Sequence, residues 1–150
     1  MRFMISNLRH VGLVVNDLDK LILFYNKLGF NVADRNKEEG DYIEKLVKIK
    51  GVKLEWVKME LKDNSMLELL KYQSPSSAKV KKKPQKSNRM SWSHISLTTD
   101  SIVDTINIIN EYGGNADKEY LFSPDGKVKV IYCHDPEGVL MEIVEELKSK

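Results

Sequence analysis

The chain has 150 residues, 41% hydrophobic and 31% charged, a size and composition that suit one globular domain with a core needing no staples. A formal net charge of +2 gives no global drive toward nucleic acid or a membrane surface. Cys133 is the single cysteine, so no intrachain disulfide can form; no stretch reads as a secretory signal or membrane span, and a reducing cytoplasm is the expected location.

Leu8 to Val15 is rich in apolar and β-branched residues and predicts a strand. Asn16 or Asp17 then caps a helix with Leu18, Leu21, Ile22, Phe24, Tyr25 and Leu28 at helical spacing, stopped by Gly29. Further strands are expected over Phe30 to Arg35, Val52 to Leu61 and Ser65 to Tyr72, the last two joined by the polar turn Lys62-Asp63-Asn64. Between them, Asp41 to Lys50 spaces Tyr42, Ile43, Leu46, Val47 and Ile49 as a short amphipathic helix. Gln73 to Ser91 is rich in Ser, Lys and Pro, with a basic run at Lys79, Lys81, Lys82, Lys83 and Lys86; it is expected to be a solvated connector between modules.

The pattern then repeats. A strand around His94 leads to Asp100 or Ser101 as cap, then Ile102, Val103, Ile106, Ile109 and Tyr112 on a helix stopped by Gly113-Gly114. Strands are expected over Ala116 to Phe122, Lys127 to Cys133 and Val139 to Glu145, with the turn Asp135-Pro136-Glu137-Gly138. The two copies align without a gap at an offset of 84 (94 − 10), pairing His10 with His94, Leu13 with Leu97, Leu18 with Ile102 and Gly29 with Gly113. The expected organisation is a single domain over 1–150: a first βαβββ module (1–72), a linker (73–91) and a second module (92–150).

Each module closes on an apolar strand with one carboxylate in its middle, Met66-Leu67-Glu68-Leu69-Leu70 and Leu140-Met141-Glu142-Ile143-Val144. Alternation puts Glu68 on a face with Met66 and Leu70, and Glu142 with Leu140 and Val144. An ionised carboxylate in such surroundings is costly unless paired or metal-bound. A lone strand histidine is usually a hydrogen-bonded core residue, but His10 and His94 stand at equivalent places, each followed by an equivalent glutamate. Duplication about a pseudo-twofold axis would gather His10, Glu68, His94 and Glu142, a set suited to one divalent ion. His134 has no counterpart and reads as a loop histidine ahead of a turn.

These residues make the chain resemble the vicinal oxygen chelate superfamily, which includes glyoxalase I, bleomycin-resistance proteins, methylmalonyl-CoA epimerase and extradiol dioxygenases. The similarity runs over nearly the whole chain. It is carried by His10-Val-Gly-Leu-Val-Val-Asn-Asp-Leu with Phe24-Tyr25-Asn-Lys-Leu-Gly-Phe30, by Trp92-Ser-His94-Ile-Ser-Leu, and above all by Asp135-Pro-Glu-Gly-Val-Leu-Met-Glu142. The resemblance implies an α+β fold of two tandem βαβββ modules forming a U-shaped mixed sheet around a metal site, with His10, Glu68, His94 and Glu142 as ligands. It implies a homodimer, and both modules of one chain building one site is the expected arrangement.

A His-Glu-His-Glu set resembles that of glyoxalase I, which isomerises the hemithioacetal of methylglyoxal and glutathione. Extradiol dioxygenases have histidine, and well-known epimerases glutamine, where this chain has Glu68. Val14 stands where bacterial glyoxalase I commonly has an arginine. The implied activity is a metal-dependent lyase or isomerase moving a proton next to a carbonyl through a metal-stabilised enediolate, with Glu142 as base and Glu68 opposite. The alternatives are an epimerase like methylmalonyl-CoA epimerase and a non-catalytic ligand-binding protein of the bleomycin-resistance type. The cofactor is one divalent ion per site, Zn, Ni, Co or Mn. The substrate is a small molecule of glutathione-hemithioacetal or acyl-CoA type, with no nucleic acid and no membrane as partner. Tyr42, Ile43 and Leu46 are expected to line its entry.

Overall fold

The computed structural model describes residues 4–77, 86–88 and 90–147. The chain divides into two compact units, Met1–Ala78 and Lys79–Lys150. The first runs β1 (Val11–Val14), α1 (Leu18–Lys27), β2 (Asn31–Glu39), α2 (Asp41–Val47), β3 (Lys53–Glu60) and β4 (Met66–Ser74). The second runs β5 (Ile95–Thr99), α3 (Ile102–Glu111), β6 (Leu121–Phe122), β7 (Val128–His134) and β8 (Leu140–Glu146). The fold is α+β, built from two βαβββ modules, the first with α2 inserted. Lys79, Lys81, Lys82 and Lys83 of the basic run lie outside the described residues.

Each unit holds a four-stranded sheet of the same topology, ordered β1-β4-β3-β2 and β5-β8-β7-β6. The first and last strands of each module are therefore neighbours, and they pair in parallel, while the other pairs are antiparallel. Local devices recur with the repeat. Asp17 accepts from the Lys20 amide at the start of α1 and Ser101 from the Asp104 amide at the start of α3, satisfying an orphan helix donor in each. The Asn26 and Asn110 side-chain amides donate to the Phe30 and Ala116 carbonyls, tying each helix to the chain that follows it.

One face of each sheet carries the core. In the first unit Leu13, Val15, Val57, Met59, Leu67 and Leu69 are buried with Leu18, Leu21, Phe24 and Tyr25 of α1. The Phe24, Tyr25 and Phe30 rings meet edge to face, with centroids 5.1 and 5.8 Å apart. In the second unit Ile95, Ile131, Cys133, Met141 and Ile143 are buried with Ile102, Ile106 and Ile109 of α3. Burial and the Asp135 charge push the Cys133 thiol up to about 12, which leaves it no role as a nucleophile near neutral pH.

Several elements differ from the sequence expectation, among them β1, expected over Leu8 to Val15 and confined to Val11–Val14. The strand expected over Ala116 to Phe122 shrinks to Leu121–Phe122, because the Asn110 side chain takes both backbone groups of Ala116 in place of a strand partner. His134 is the last residue of β7, not a loop residue, and its backbone exchanges hydrogen bonds with Asn115. A Cβ on Gly114 would stand 2.7 Å from the His134 carbonyl oxygen, so this approach needs glycine. β2 extends beyond the expected Arg35 to Glu39, since β3 is long enough to pair with all of it.

Charge is also buried on the core side of the first sheet. Glu55, 6% exposed, accepts from Arg35 at 2.8 and 2.7 Å and from Gln73 at 3.1 Å. Burial works to raise its pKa, but the hydrogen bonds and charge of Arg35, with help from Lys37 and Gln73, hold it below the ordinary 4.5. A depressed folded value contributes stability that is fully present above the ordinary value and lost as pH falls through the folded one. Arg35→Met strands the carboxylate and should destabilise by about 1–3 kcal/mol at pH 7 in urea unfolding. The gap from wild type should narrow as the pH falls below that of ordinary glutamate.

Candidate metal centre

The parallel strand pairs place the proposed ligands. In the first unit Gly12 is the register partner of Glu68, and in the second Ser96 is that of Glu142. Each histidine lies two residues earlier, just before its strand begins rather than within it, because the ladders start at Val11 and Ile95. Alternation then puts histidine and glutamate on the same face, away from the helix.

His10 Nε2 stands 3.0 Å from Glu68 Oε2, and His94 Nε2 stands 3.5 Å from Glu142 Oε2. The side chains are partly buried, at 29% and 15% exposure in the first pair and 28% and 24% in the second. Each unit thus contributes one imidazole and one carboxylate. Among the described residues, no three or more His, Cys, Asp and Glu side chains come together as a potential metal-holding group.

In the second pair, Ser93 Oγ donates to the Ser87 carbonyl at 2.9 Å and stands 3.0 Å from His94 Nδ1. Nε2 of the same ring faces the Glu142 carboxylate. Tyr132, the cross-strand partner of Glu142, adds a hydroxyl 3.5 Å from His94 Nε2, and its ring stands edge-on to His94. Burial, the Glu142 charge and a hydrogen bond to that carboxylate raise the Tyr132 pKa.

In the first pair His10 Nδ1 is buried and makes no hydrogen bond. It is the ring nitrogen other than the one facing Glu68, and leaving it unpaired costs about 1–3 kcal/mol whether or not an ion binds at Nε2. Each histidine–glutamate pair has the spacing that two ligands of one divalent ion would have. Donors bound at about 2.1 Å lie roughly 3.0 Å apart along an octahedral edge and roughly 3.4 Å along a tetrahedral one. Mixed imidazole and carboxylate ligation suits zinc and its first-row neighbours.

The neighbouring elements complete the picture within the first unit. Leu54, Trp56 and Lys58 on β3 are the register partners of Tyr72, Leu70 and Glu68, so all six share the site-bearing face. α2 packs on that face, burying Ile43 with Val52 and Leu54 against Trp56, Leu70 and Tyr72. Ile43 is 3% exposed and anchors the helix, whereas Tyr42 and Leu46 are exposed. Sequence reasoning missed Ser93, Tyr132 and Lys58. A hairpin register was the signal available, because both Lys58 and Tyr132 lie ten positions before a site glutamate (68 − 58, 142 − 132).

The profile of the Glyoxalase/Bleomycin resistance protein/Dioxygenase superfamily matches residues 7–143. The chain belongs to this superfamily. No curated protein matches its sequence. Among solved structures it is similar to a glyoxalase family protein from Bacillus cereus, at 21% identity over 98% of each chain with a TM-score of 0.88. It is also similar to a glyoxalase family protein from Enterococcus faecalis (19% identity, 95% of this chain and 100% of that one, TM-score 0.65). Glyoxalase I from Zea mays aligns with 94% of this chain and 45% of its own, at 16% identity and a TM-score of 0.64. At these identities the likeness speaks for the fold alone.

The Ser93 contact generates a test of the centre. Metal-ligating histidines rely on the partner of their second nitrogen, and its loss typically lowers affinity about 10–100-fold. Ser93→Ala should weaken zinc binding in equilibrium dialysis by that factor with the thermal unfolding curve little changed. Unaltered zinc affinity would remove His94 from the ligand set.

Proposed function

We propose that this protein is a metal-dependent lyase or isomerase of the glyoxalase I type, moving a proton at carbon next to a carbonyl. The observation that carries the reading is the His94–Glu142 pair, Nε2 to Oε2 at 3.5 Å, repeated by His10 and Glu68 at 3.0 Å in the same register. His10, Glu68, His94 and Glu142 would together hold one divalent ion, zinc, nickel, cobalt or manganese. When bound, the ion supplies a Lewis acid for the substrate's carbonyl oxygen.

The chain's own groups do the rest. Glu142 Oε2 takes the proton from the carbon beside the carbonyl and returns it, to the neighbouring carbon in a glyoxalase reaction or to the same carbon in an epimerase reaction. Glu68 faces the substrate from the other module. Tyr42 and Leu46 are proposed as substrate contacts at the entry, with Ile43 fixing the helix that presents them. The substrate is a small molecule of the glutathione-hemithioacetal class, or an acyl-CoA type acid in the epimerase reading. The complete donor set weighs against a non-catalytic ligand-binding protein of the bleomycin-resistance kind. No helix among the described residues is long and apolar enough to cross a membrane. The single cysteine supports a cytoplasmic setting.

Activity toward methylglyoxal–glutathione hemithioacetal, compared with methylmalonyl-CoA, separates lyase from epimerase; activity on neither with metal loaded overturns both. Glu142→Gln keeps an oxygen donor but loses the base, so turnover should fall about 10²–10⁴-fold while most metal is retained. Normal solvent deuterium exchange into substrate by Glu142→Gln would move the base to Glu68. We further propose a homodimer in which each chain builds its own site. Mixing His10→Ala and His94→Ala chains should then give no activity, and recovered turnover in the mixture would show sites shared between chains.

A further inference from the structure

The repeat that equates the two glutamates also equates their cross-strand neighbours. Lys58 is the register partner of Glu68 and Tyr132 that of Glu142, both pairs at an offset of 74 (132 − 58, 142 − 68). Facing side chains on adjacent strands lie about 4.5–5.5 Å apart at Cβ, so each of these residues starts beside its glutamate. Histidine and glutamate are kept in both modules, while this neighbour is a phenol in one and an ammonium in the other. The two half-sites are alike as donors and unlike in what they offer a ligand.

The state of the ammonium is informative. Glu68 is engaged by His10 at 3.0 Å, and Lys58 forms no ion pair with it. Asp34, the β2 neighbour of Lys58, turns its carboxylate to the Arg35 backbone amide at 2.8 Å. On the opposite side of the sheet, Arg35 and Lys37 are directed to Glu55. Lys58 Nζ instead rests 4.7 Å from the centre of the Trp56 ring, which is pinned by its own Nε1 donating to Glu38 at 2.8 Å. Lys58 is partly buried as a residue, and its ammonium, with three donors, has no ion-pair partner among the described residues, so it retains its capacity for an oxyanion.

We propose that Lys58, seated on Trp56, anchors an anionic group of the ligand, a carboxylate or a phosphate, beside Glu68. It rests on the site reading given under the proposed function and assigns that site's substrate an anionic end, bound by the first module. Charge-assisted contact with an ammonium is strong enough to orient a small molecule, and the indole face fixes where the ammonium sits. The tyrosine at the matching place in the second module offers no such charge.

Malonate and inorganic phosphate serve as probes, titrated by calorimetry into wild type, Lys58→Met and Lys58→Arg, each with and without zinc. Trp92→Phe leaves Trp56 as the sole tryptophan of the two, and its fluorescence reports whether the anion arrives at this face. The expected result is saturable binding that shifts Trp56 emission, weakens at least tenfold in Lys58→Met and returns in Lys58→Arg. Tighter malonate points to a carboxylate on the substrate, and tighter phosphate to a phosphorylated carrier. Equal affinity in Lys58→Met, or no saturable binding of either anion, overturns the proposal. Zinc dialysis on the same proteins separates the two readings. Anion binding through Lys58 in a protein that takes no zinc sinks the metal centre alone, and zinc binding with Lys58-independent anion affinity sinks the anchor alone.

Discussion

In each module the first and last strands lie side by side and run parallel, and the rest of the site depends on that pairing. Parallel neighbours cannot be joined by a tight turn, so the helix and the two middle strands form the connection between them. The connection also brings a histidine from the start of the module against a glutamate from its end, separated by 58 positions in the first unit and 48 in the second (68 − 10, 142 − 94). No local motif could do this. The register, with the residue two after each histidine opposite each glutamate, is the same in both units.

The two faces of each sheet divide the charge. On the helix side, carboxylates are neutralised within the protein: Glu55 by Arg35, and Glu145 by Lys129 and the Ile102 amide at the start of α3. The Ile102 and Lys129 hydrogen bonds hold the Glu145 carboxyl below its ordinary range. On the other face, Glu68 and Glu142 each meet the Nε2 of a histidine, at 3.0 and 3.5 Å. Acids of one kind complete the structure, and acids of the other kind leave an interaction open.

Much of this was legible in the sequence, because the repeat carried both the fold and the donor pairs. An ungapped match at a fixed offset says that two segments share a conformation, and alternation on an apolar strand says which face an acid takes. Helix caps and glycine stops were readable for the same reason, since one residue decides each. Pairing partners were not. The loss of the strand over Ala116 to Glu119 depends on the Asn110 side chain, six residues away, and His134 joins β7 through a bridge to Asn115. Lys58 and Tyr132 escaped because their importance lies in which strand they face. Ile43 illustrates the remaining difficulty: helical spacing identified α2, while its burial depends on Val52 and Leu54 meeting that side of the helix.

Glu145 has a consequence beyond its own contacts. It lies three residues after Glu142 on β8, so the two acids project to opposite sides of one strand. A slip of β8 by a single position would turn Glu142 into the core, bring Ile143 to the site, and pull Glu145 from the α3 amide and Lys129 together. Evolution can therefore vary the site face of β8 residue by residue, but it cannot shift the strand to adjust the site. Changes of chemistry on this scaffold are confined to substitutions within a fixed frame.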